Sequence, residues 1–272
     1  MIIKRIPLDG ENEKVYLDVY VADKVSGFTR KAILVIPGGG YGGVCSEREG
    51  EPIGMAFMPH GFNAFVLHYS VARTKTYPAQ LIEASLAMKH IKDNAEEYGI
   101  DPDKVFVTGF SAGGHLACSL GTQWHLKEIY DAVDMPYGYN KPCGMILGYP
   151  VITAFPENGS HCGSFDNLWG TDEPTREMLE KTSLECHVDD KTCPAFILHT
   201  SNDAVVPVNN ALVLCQALAR AGQKFELHIF PDAPHGVALG NKITMVGEPK
   251  FDNPNIARWI EMAAVWAENL ED

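Results

Sequence analysis

Short hydrophobic runs alternate along the chain with longer segments that carry apolar residues at helical spacing. The short runs predict eight β-strands, at residues 2–7, 14–21, 32–36, 64–70, 104–110, 144–149, 195–200 and 225–230. From the third onward the runs are mainly apolar and do not alternate, which indicates burial on both faces and therefore a parallel sheet between layers of helices. The first two runs alternate apolar with polar residues, as an antiparallel strand near a sheet edge does.

Helical patterns occupy the gaps between these strands. They predict four long helices, at residues 80–98, 111–124, 207–221 and 255–270. In the first of them Leu81, Met88 and Ile91 fall near one face, and Gly99 follows the end of the pattern, where glycine commonly terminates a helix. Because strands and helices alternate, we predict an α/β fold with right-handed crossovers.

Two stretches, 125–142 and 151–193, contain no predicted strand and are rich in Pro, Gly, His, Asp and aromatic residues. Loops of this length inside a compact domain are usually functional. They follow the fifth and sixth strands, so we expect both to lie over the carboxyl-terminal edge of the sheet, where open α/β folds bind ligands. We predict that residues 1–272 form a single domain in which these stretches are lid or insertion segments.

The charge balance excludes some classes of partner. Lys and Arg number 22 against 35 Asp and Glu, which gives a net charge of −13 at pH 7. Such an acidic surface repels phosphate backbones and anionic lipids, so we expect no nucleic-acid or membrane partner. No signal-peptide pattern or membrane-spanning run is present, and the seven cysteines form no C-x-x-C pair. We therefore predict a cytoplasmic location with reduced thiols. For the oligomeric state, a homo-oligomer is one alternative.

The strongest chemical signal is the segment Gly109-Phe-Ser-Ala-Gly113, which follows the fifth predicted strand and opens an apolar helix. A nucleophile elbow requires this strand–turn–helix context, with small residues around the serine to avoid clashes. The amino terminus of the following helix favours negative charge near the hydroxyl. We predict that Ser111 is a nucleophile; the alternative is a glycine-rich turn without chemistry.

A second glycine-rich segment, Pro37-Gly-Gly-Gly-Tyr41, directly follows the third predicted strand. Its glycines allow close approach of the backbone to a substrate and leave N–H groups exposed. We predict an oxyanion hole formed by the N–H groups of Gly39, Gly40 and Ala112. The alternative, a phosphate-binding loop, lacks the required spacing of glycines and lysine.

A nucleophilic serine needs a base, and the base needs an orienting carboxylate. His235 lies in a Pro/Gly-rich loop after the eighth predicted strand, and Asp203 lies in the turn after the seventh. We predict that they complete a triad, although Asp203 has a helix N-cap as its alternative role. Asp232 is the rival acid, but it is three residues from His235 and is expected to shape the turn. His115, one helical turn after Ser111, is expected to pack beneath the elbow.

Six segments together resemble an α/β hydrolase of the esterase/lipase group that includes bacterial acetyl xylan esterases and related carbohydrate esterases. The matching segments are PGGGY at 37–41, SEREGEP at 46–52, YPAQ at 77–80, GFSAGGHLA at 109–117, SNDAVVP at 201–207 and PHG at 234–236. The order Ser, Asp, His is also that of the group. Many relatives carry His before the glycines, where this chain has Pro37. The resemblance implies an α/β-hydrolase fold, with an eight-stranded, mostly parallel sheet and helices on both faces, together with serine-esterase chemistry on short acyl groups of sugars.

Aromatic residues expected at the mouth of the site are Tyr41, Tyr69, Tyr77, Phe165 and Trp169. We predict Tyr41, Tyr77 and Trp169 as substrate contacts, because flat rings suit stacking on sugars. The alternative is that the aromatic residues form an apolar lid.

Metal chemistry is not expected. The pairs His161-Cys162 and Cys186-His187 in the second insertion lack the ligand spacing of a zinc site, and the triad needs no cofactor.

The function predicted from these features is that of a serine carboxylesterase acting on short acyl esters, above all acetyl esters. The expected substrates are small-molecule or oligosaccharide esters such as acetylated xylo-oligosaccharides. Two alternatives remain: an amidase such as a formamidase with the same triad, and a non-catalytic binding protein of the same fold.

Overall fold

A computed structural model describes residues 1–10 and 13–270 of the chain. Its strands are β1 (Ile2–Pro7), β2 (Tyr16–Val21), β3 (Arg30–Ile36), β4 (Phe62–His68), β5 (Ile100–Phe110), β6 (Met145–Gly148), β7 (Ala195–Thr200) and β8 (Phe225–Phe230). They form one sheet in the order β1-β2-β4-β3-β5-β6-β7-β8. Strand β2 is antiparallel to both of its neighbours, β1 and β4, and all the other pairs are parallel. The predicted mostly parallel sheet is confirmed.

The helices are α1 (Ser46–Glu49), α2 (Glu51–Phe57), α3 (Ala79–Asp93), α4 (Ala95–Tyr98), α5 (Ala112–Thr122), α6 (Lys127–Ala132), α7 (Cys162–Trp169), α8 (Arg176–Thr182), α9 (Asn209–Ala221) and α10 (Trp259–Glu268). Single 3₁₀ turns lie at Met58–His60, Pro156–Asn158, Leu184–Cys186, Pro249–Phe251 and Ile256–Arg258. None of these helices, in the ranges that the structure describes, is long and apolar enough to cross a membrane.

The helix predicted at 80–98 is divided in two at Asn94. The Asn94 side-chain amide donates a hydrogen bond of 2.7 Å to the carbonyl oxygen of His90. An asparagine side chain that bonds a nearby carbonyl competes with the helical ladder, which explains the break between α3 and α4.

The central strands of the sheet have side chains on both faces, since successive residues of a strand point to opposite sides, and both faces are covered by helices. The edge strand β8 has no buried residue, so the predicted burial on both faces is wrong for this strand. On one face, Leu34 and Val107 pack against α3, α5 and α9. On the other face, Ile33 and Phe106 pack against α2 and α10. Burying one such side chain contributes roughly 1.5–3 kcal/mol, so the sheet is a rigid support for the loops that leave its carboxyl-terminal edge.

The segment 125–142 does not lie over the carboxyl-terminal edge of the sheet, so the prediction for its position is wrong. That segment follows α5, which runs back from the carboxyl-terminal edge. At the end of α3 the Tyr139 hydroxyl donates to Asp93 (3.1 Å). Just after the segment, the Cys143 N–H donates to the carbonyl of Val105, the middle residue of β5 (2.8 Å). The segment 151–193 instead follows β6 directly, and the Val151 N–H donates to the Ser111 carbonyl (3.0 Å).

Candidate active site

Ser111 occupies a strained turn between β5 and α5. Its φ of 52° lies in the left-handed region, which side chains other than glycine rarely adopt. A Cβ atom at Gly109 would lie 2.2 Å from the carbonyl oxygen of Gly113, and one at Gly113 would lie 2.2 Å from the oxygen of Ile36. Glycine at both positions is therefore needed for the turn that presents the Ser111 hydroxyl.

The structure brings the three predicted triad side chains into one hydrogen-bonded chain. Ser111 Oγ lies 2.9 Å from Nε2 of His235, and Nδ1 of His235 lies 2.7 Å from Oδ2 of Asp203. An ionised carboxylate can only accept, so Nδ1 carries the hydrogen of the neutral ring and Nε2 is free to accept the serine proton. This arrangement is the one that activates a serine for nucleophilic attack.

Asp203 is held as an anion. The residue is 7% exposed, and burial acts to raise the pKa of its carboxyl group. The hydrogen bond from His235 and the backbone N–H groups of Val205 and Val206, each 2.9 Å from Oδ1, outweigh burial and leave the pKa below its usual range. The carboxylate thus remains charged and oriented toward the imidazole.

The rival residues are engaged elsewhere. The exposed Asp232 accepts a hydrogen bond from the side chain of Asn202 at 3.1 Å, and its carboxylate is not bonded to His235. His115 is buried beneath the elbow, between the Tyr41 hydroxyl and the Thr182 carbonyl, each at 2.8 Å.

The glycine-rich loop leaves backbone donors unused beside Ser111. Gly39 and Gly40 have φ of 129° and 61°, and the Gly39 carbonyl accepts the N–H groups of residues 42 and 43. Across residues 1–10 and 13–270, no group of the chain accepts the N–H of Gly39, Gly40 or Ala112. Free donors next to a nucleophile are what an oxyanion hole requires.

A cavity of about 230 Å³ opens onto the serine. Its lining consists of Gly39, Gly40, Cys45, Arg48, Glu49, Ser111, His161, Val205, His235 and Gly236. A larger cavity of about 490 Å³ lies between β8 and α10, and its lining side chains include no Ser, Cys or His. The smaller cavity is the candidate site because it alone of the two contains a serine hydrogen-bonded to a histidine.

The aromatic residues predicted at the mouth of the site are not part of that lining. Tyr41, like Tyr69 and Phe165, is 1% exposed, and its hydroxyl is satisfied by His115. Tyr77 and Trp169 are half-buried and pack against each other with ring centroids 4.8 Å apart. The Trp169 indole N–H donates to the Thr182 hydroxyl at 3.3 Å. The expectation that these rings lie at the mouth of the site is wrong for Tyr41, Tyr69 and Phe165, because all three are buried in the hydrophobic core.

Sequence reasoning missed several lining residues, of which Glu49, Arg48 and His161 are the most polar. The first two lie in the SEREGEP segment, and its resemblance to a family motif does not by itself place these side chains in the site. His161 lies at the start of α7, where the ring Nδ1 is 2.8 Å from the buried Ser164 hydroxyl. In the same helix, the Asn167 side chain donates to the Gly40 carbonyl at 2.9 Å, so this insertion supports the glycine-rich loop. Within the described residues, no three His, Cys, Asp or Glu side chains are arranged to hold a metal ion.

The chain matches one family model and several esterase-related proteins. The BD-FAE family model matches residues 17–218. The chain is 40% identical over 217 residues to endo-1,4-beta-xylanase B of Butyrivibrio fibrisolvens. The aligned region covers 78% of this chain and 33% of that protein. It is 29% identical over 237 residues to an acetylxylan esterase of Xylanibacter ruminicola, covering 85% of this chain and 45% of that protein. The chain therefore spans less than half the length of both curated relatives.

Among solved structures, a similar fold is found in an acetyl ester-xyloside bifunctional hydrolase from Caldicellulosiruptor lactoaceticus. The two chains are 33% identical, the match covers 98% of this chain and 96% of that one, and the TM-score is 0.83. In contrast to the curated relatives, this structure matches the chain over nearly the whole length of both.

Proposed function

The chain belongs to the BD-FAE family, within the α/β-hydrolase esterase group, and we propose that it is a serine carboxylesterase that hydrolyses short-chain acyl esters, chiefly acetyl esters. The observation that carries this proposal is the unbroken series of hydrogen bonds from Ser111 through His235 to Asp203. We further propose that residues 1–272 form one domain of this fold, with 151–193 as the insertion beside the site.

The proposed reaction proceeds through an acyl-enzyme. Ser111 Oγ attacks the ester carbonyl while Nε2 of His235 takes the hydroxyl proton, and Asp203 stabilises the resulting imidazolium. The unused N–H groups of the glycine-rich loop and of Ala112 stabilise the oxyanion. His235 then gives its proton to the departing alcohol. Water, deprotonated by the same imidazole, attacks the acyl-enzyme, releases the carboxylic acid and restores the serine.

The size of the cavity favours a small acyl group. At about 230 Å³, the cavity lies below the roughly 300–1,000 Å³ typical of sites for drug-sized ligands. The charged side chains of Arg48 and Glu49 take part in its lining. A long alkyl chain would not find the volume that it needs.

The alcohol part of the substrate is proposed to be a carbohydrate such as a xylo-oligosaccharide. Support comes from the relatives, of which one is an acetylxylan esterase and another is an acetyl ester-xyloside bifunctional hydrolase. An amidase would use the same triad, but no contact in the cavity favours an amide over an ester. A purely binding role is disfavoured because it gives no reason for the aligned triad.

A substrate panel tests this proposal. Hydrolysis is compared among p-nitrophenyl acetate, p-nitrophenyl xylopyranoside, N-formylated aromatic amines and acetylated xylo-oligosaccharides, with Ser111→Ala as the control. We expect activity on the acetate and on the acetylated oligosaccharide, lost in the control. Preference for the formamide would support the amidase, and failure to hydrolyse either acetyl ester would contradict the esterase, whether or not the xylopyranoside is cleaved.

A further inference from the structure

Glu49 is a carboxylate buried beside the reactive serine, and it has no part in the reaction proposed above. The residue is 5% exposed and lies in the lining of the cavity. Both of its oxygens are used: Oε2 accepts the Gly38 N–H at 2.8 Å, and Oε1 accepts the Tyr149 hydroxyl at 2.7 Å. One side chain therefore holds two different parts of the molecule.

The first part is the loop proposed to form the oxyanion hole. Gly38 immediately precedes Gly39, and its carbonyl accepts the Cys45 N–H at 2.9 Å, just before α1. A Cβ atom at Gly38 would lie 2.8 Å from Glu49 Oε2 and 3.0 Å from Ser111 Cβ. The Gly38 peptide is thus clamped between the carboxylate and the serine, and its orientation sets the direction of the next N–H groups.

The second part is the loop that carries the base. The Tyr149 hydroxyl, which donates to Glu49, accepts the N–H of Ala238 at 3.0 Å. The Tyr149 ring also meets the His235 ring edge-on, with centroids 5.1 Å apart. Arg48, adjacent to Glu49, donates to the carbonyl of Gly236. The end of α1 is therefore connected to the part of the loop that directly follows His235, by Arg48 itself and by Glu49 through Tyr149.

Stability alone gives a poor reason for a carboxylate at this position. Removing a charged group from water costs several kcal/mol, and apolar replacements of buried charges are often neutral or stabilising. The two hydrogen bonds offset that cost only if their donors stay in place, which makes the arrangement sensitive to geometry. Such sensitivity is useful where two loops must be held at a fixed separation.

We infer that Glu49 is a positioning residue, which holds the oxyanion loop through Gly38 and the His235 loop through Tyr149 in the geometry that acylation of Ser111 requires. This inference rests on the proposed esterase function. Hydrolysis by the unmodified protein and its loss in Ser111→Ala report on that function separately, whatever happens at Glu49.

The test measures kcat, KM and melting temperature with p-nitrophenyl acetate. We expect Glu49→Ala to lower kcat by about 10²–10³-fold, as removal of one oxyanion donor does, with little change in KM because the loop acts on the transition state. Glu49→Gln can accept from Gly38 and donate to Tyr149, and we expect it to recover about tenfold of the loss, the equivalent of one hydrogen bond. Glu47→Ala, an exposed acid of the same helix, is the matched control and should behave as the unmodified protein.

A folded Glu49→Ala protein with unchanged kcat would overturn the inference. The inference would also be overturned if Glu49→Gln and Glu49→Ala had the same melting temperature and Glu49→Gln were no more active. If Glu49→Ala does not fold, Tyr149→Phe decides, since it removes the shared hydroxyl and leaves Gly38 bonded. A lower kcat at unchanged KM supports the link to the His235 loop, and an unchanged kcat contradicts it.

Discussion

His235 and Ser111 are 124 residues apart in the chain, and the imidazole Nε2 lies 2.9 Å from the serine Oγ. The contact forms because β5 and β8 are parallel strands of one sheet, whose carboxyl-terminal loops meet at the same edge. This pair is the basis of the proposed chemistry.

Asp203→Asn is expected to reduce kcat severely, by about 10⁴-fold, while the protein remains folded. The amide oxygen can still accept the N–H groups of Val205 and Val206, which preserves the turn. Its NH₂ group would face Nδ1 of His235, however, and would stabilise the tautomer whose Nε2 cannot accept a proton. Esterase kinetics and melting temperature measure both effects. Asp232→Asn is the control and should be mild; a reversed order of severity would make Asp232 the triad acid.

Acyl preference should reflect the small cavity. Each methylene placed in a long apolar pocket would gain about 0.8 kcal/mol, and we expect no such gain beyond roughly two to four acyl carbons. The measurement is kcat/KM across p-nitrophenyl esters from acetate to decanoate, with the alcohol held constant. A steady rise to the octanoate or decanoate would show that the cavity extends further than its lining suggests.

His115 should make stability fall in acid. Burial lowers the pKa of its imidazole from 6.5 to about 4, against the raising effect of the bond to the Thr182 carbonyl. Between pH 6.5 and 4 the unfolded chain binds a proton that the folded protein does not. The free energy of unfolding therefore falls as pH falls, by up to about 1.4 kcal/mol per pH unit for this residue.

Denaturant unfolding at several pH values tests this effect with His115→Gln, which can accept from Tyr41 and donate to Thr182. We expect the variant to lose less stability than the unmodified protein between pH 6.5 and 4. His60→Gln, at an exposed position, should show the same change in the free energy of unfolding with pH as the unmodified protein. If this change were equal in all three proteins, His115 would not be the source of the loss of stability in acid.

Trp169→Ala should act on stability rather than on sugar recognition. The indole packs against Tyr77 and bonds Thr182, so truncation is expected to cost about 3 kcal/mol and several degrees of melting temperature. Rates on p-nitrophenyl acetate and on acetylated xylo-oligosaccharides should then change together, with a smaller effect for Trp169→Phe. A rise in KM for the oligosaccharide alone, at unchanged melting temperature, would instead support the prediction that Trp169 contacts the sugar.

Local sequence patterns were sufficient to predict the sheet and the side chains in the loops that follow its strands. Apolar runs such as 195–200 have few stable alternatives to a strand buried on both faces, and the turn after such a strand must lie at the carboxyl-terminal edge. The positions of Ser111, Asp203 and His235 follow from that rule, and the structure brings them together.

Features that depend on tertiary packing were not predictable in this way. The edge at which 125–142 lies depends on the direction and length of α5, and its composition alone suggested the wrong edge. The burial of Tyr41 depends on space beside His115, more than 70 residues away. The two partners of Glu49 lie in other loops, and a glutamate in a short helix gives no local sign of such contacts.

Labelling with a serine-reactive fluorophosphonate, followed by peptide mass spectrometry, tests the proposed nucleophile most directly. We predict a single adduct on Ser111 and loss of p-nitrophenyl acetate hydrolysis in proportion to labelling. Ser111→Ala should be folded, unlabelled and inactive, whereas Ser26→Ala, at an exposed position, should be labelled and active. An adduct on another residue, or a folded Ser111→Ala protein that retains most of its activity, would contradict the proposed mechanism.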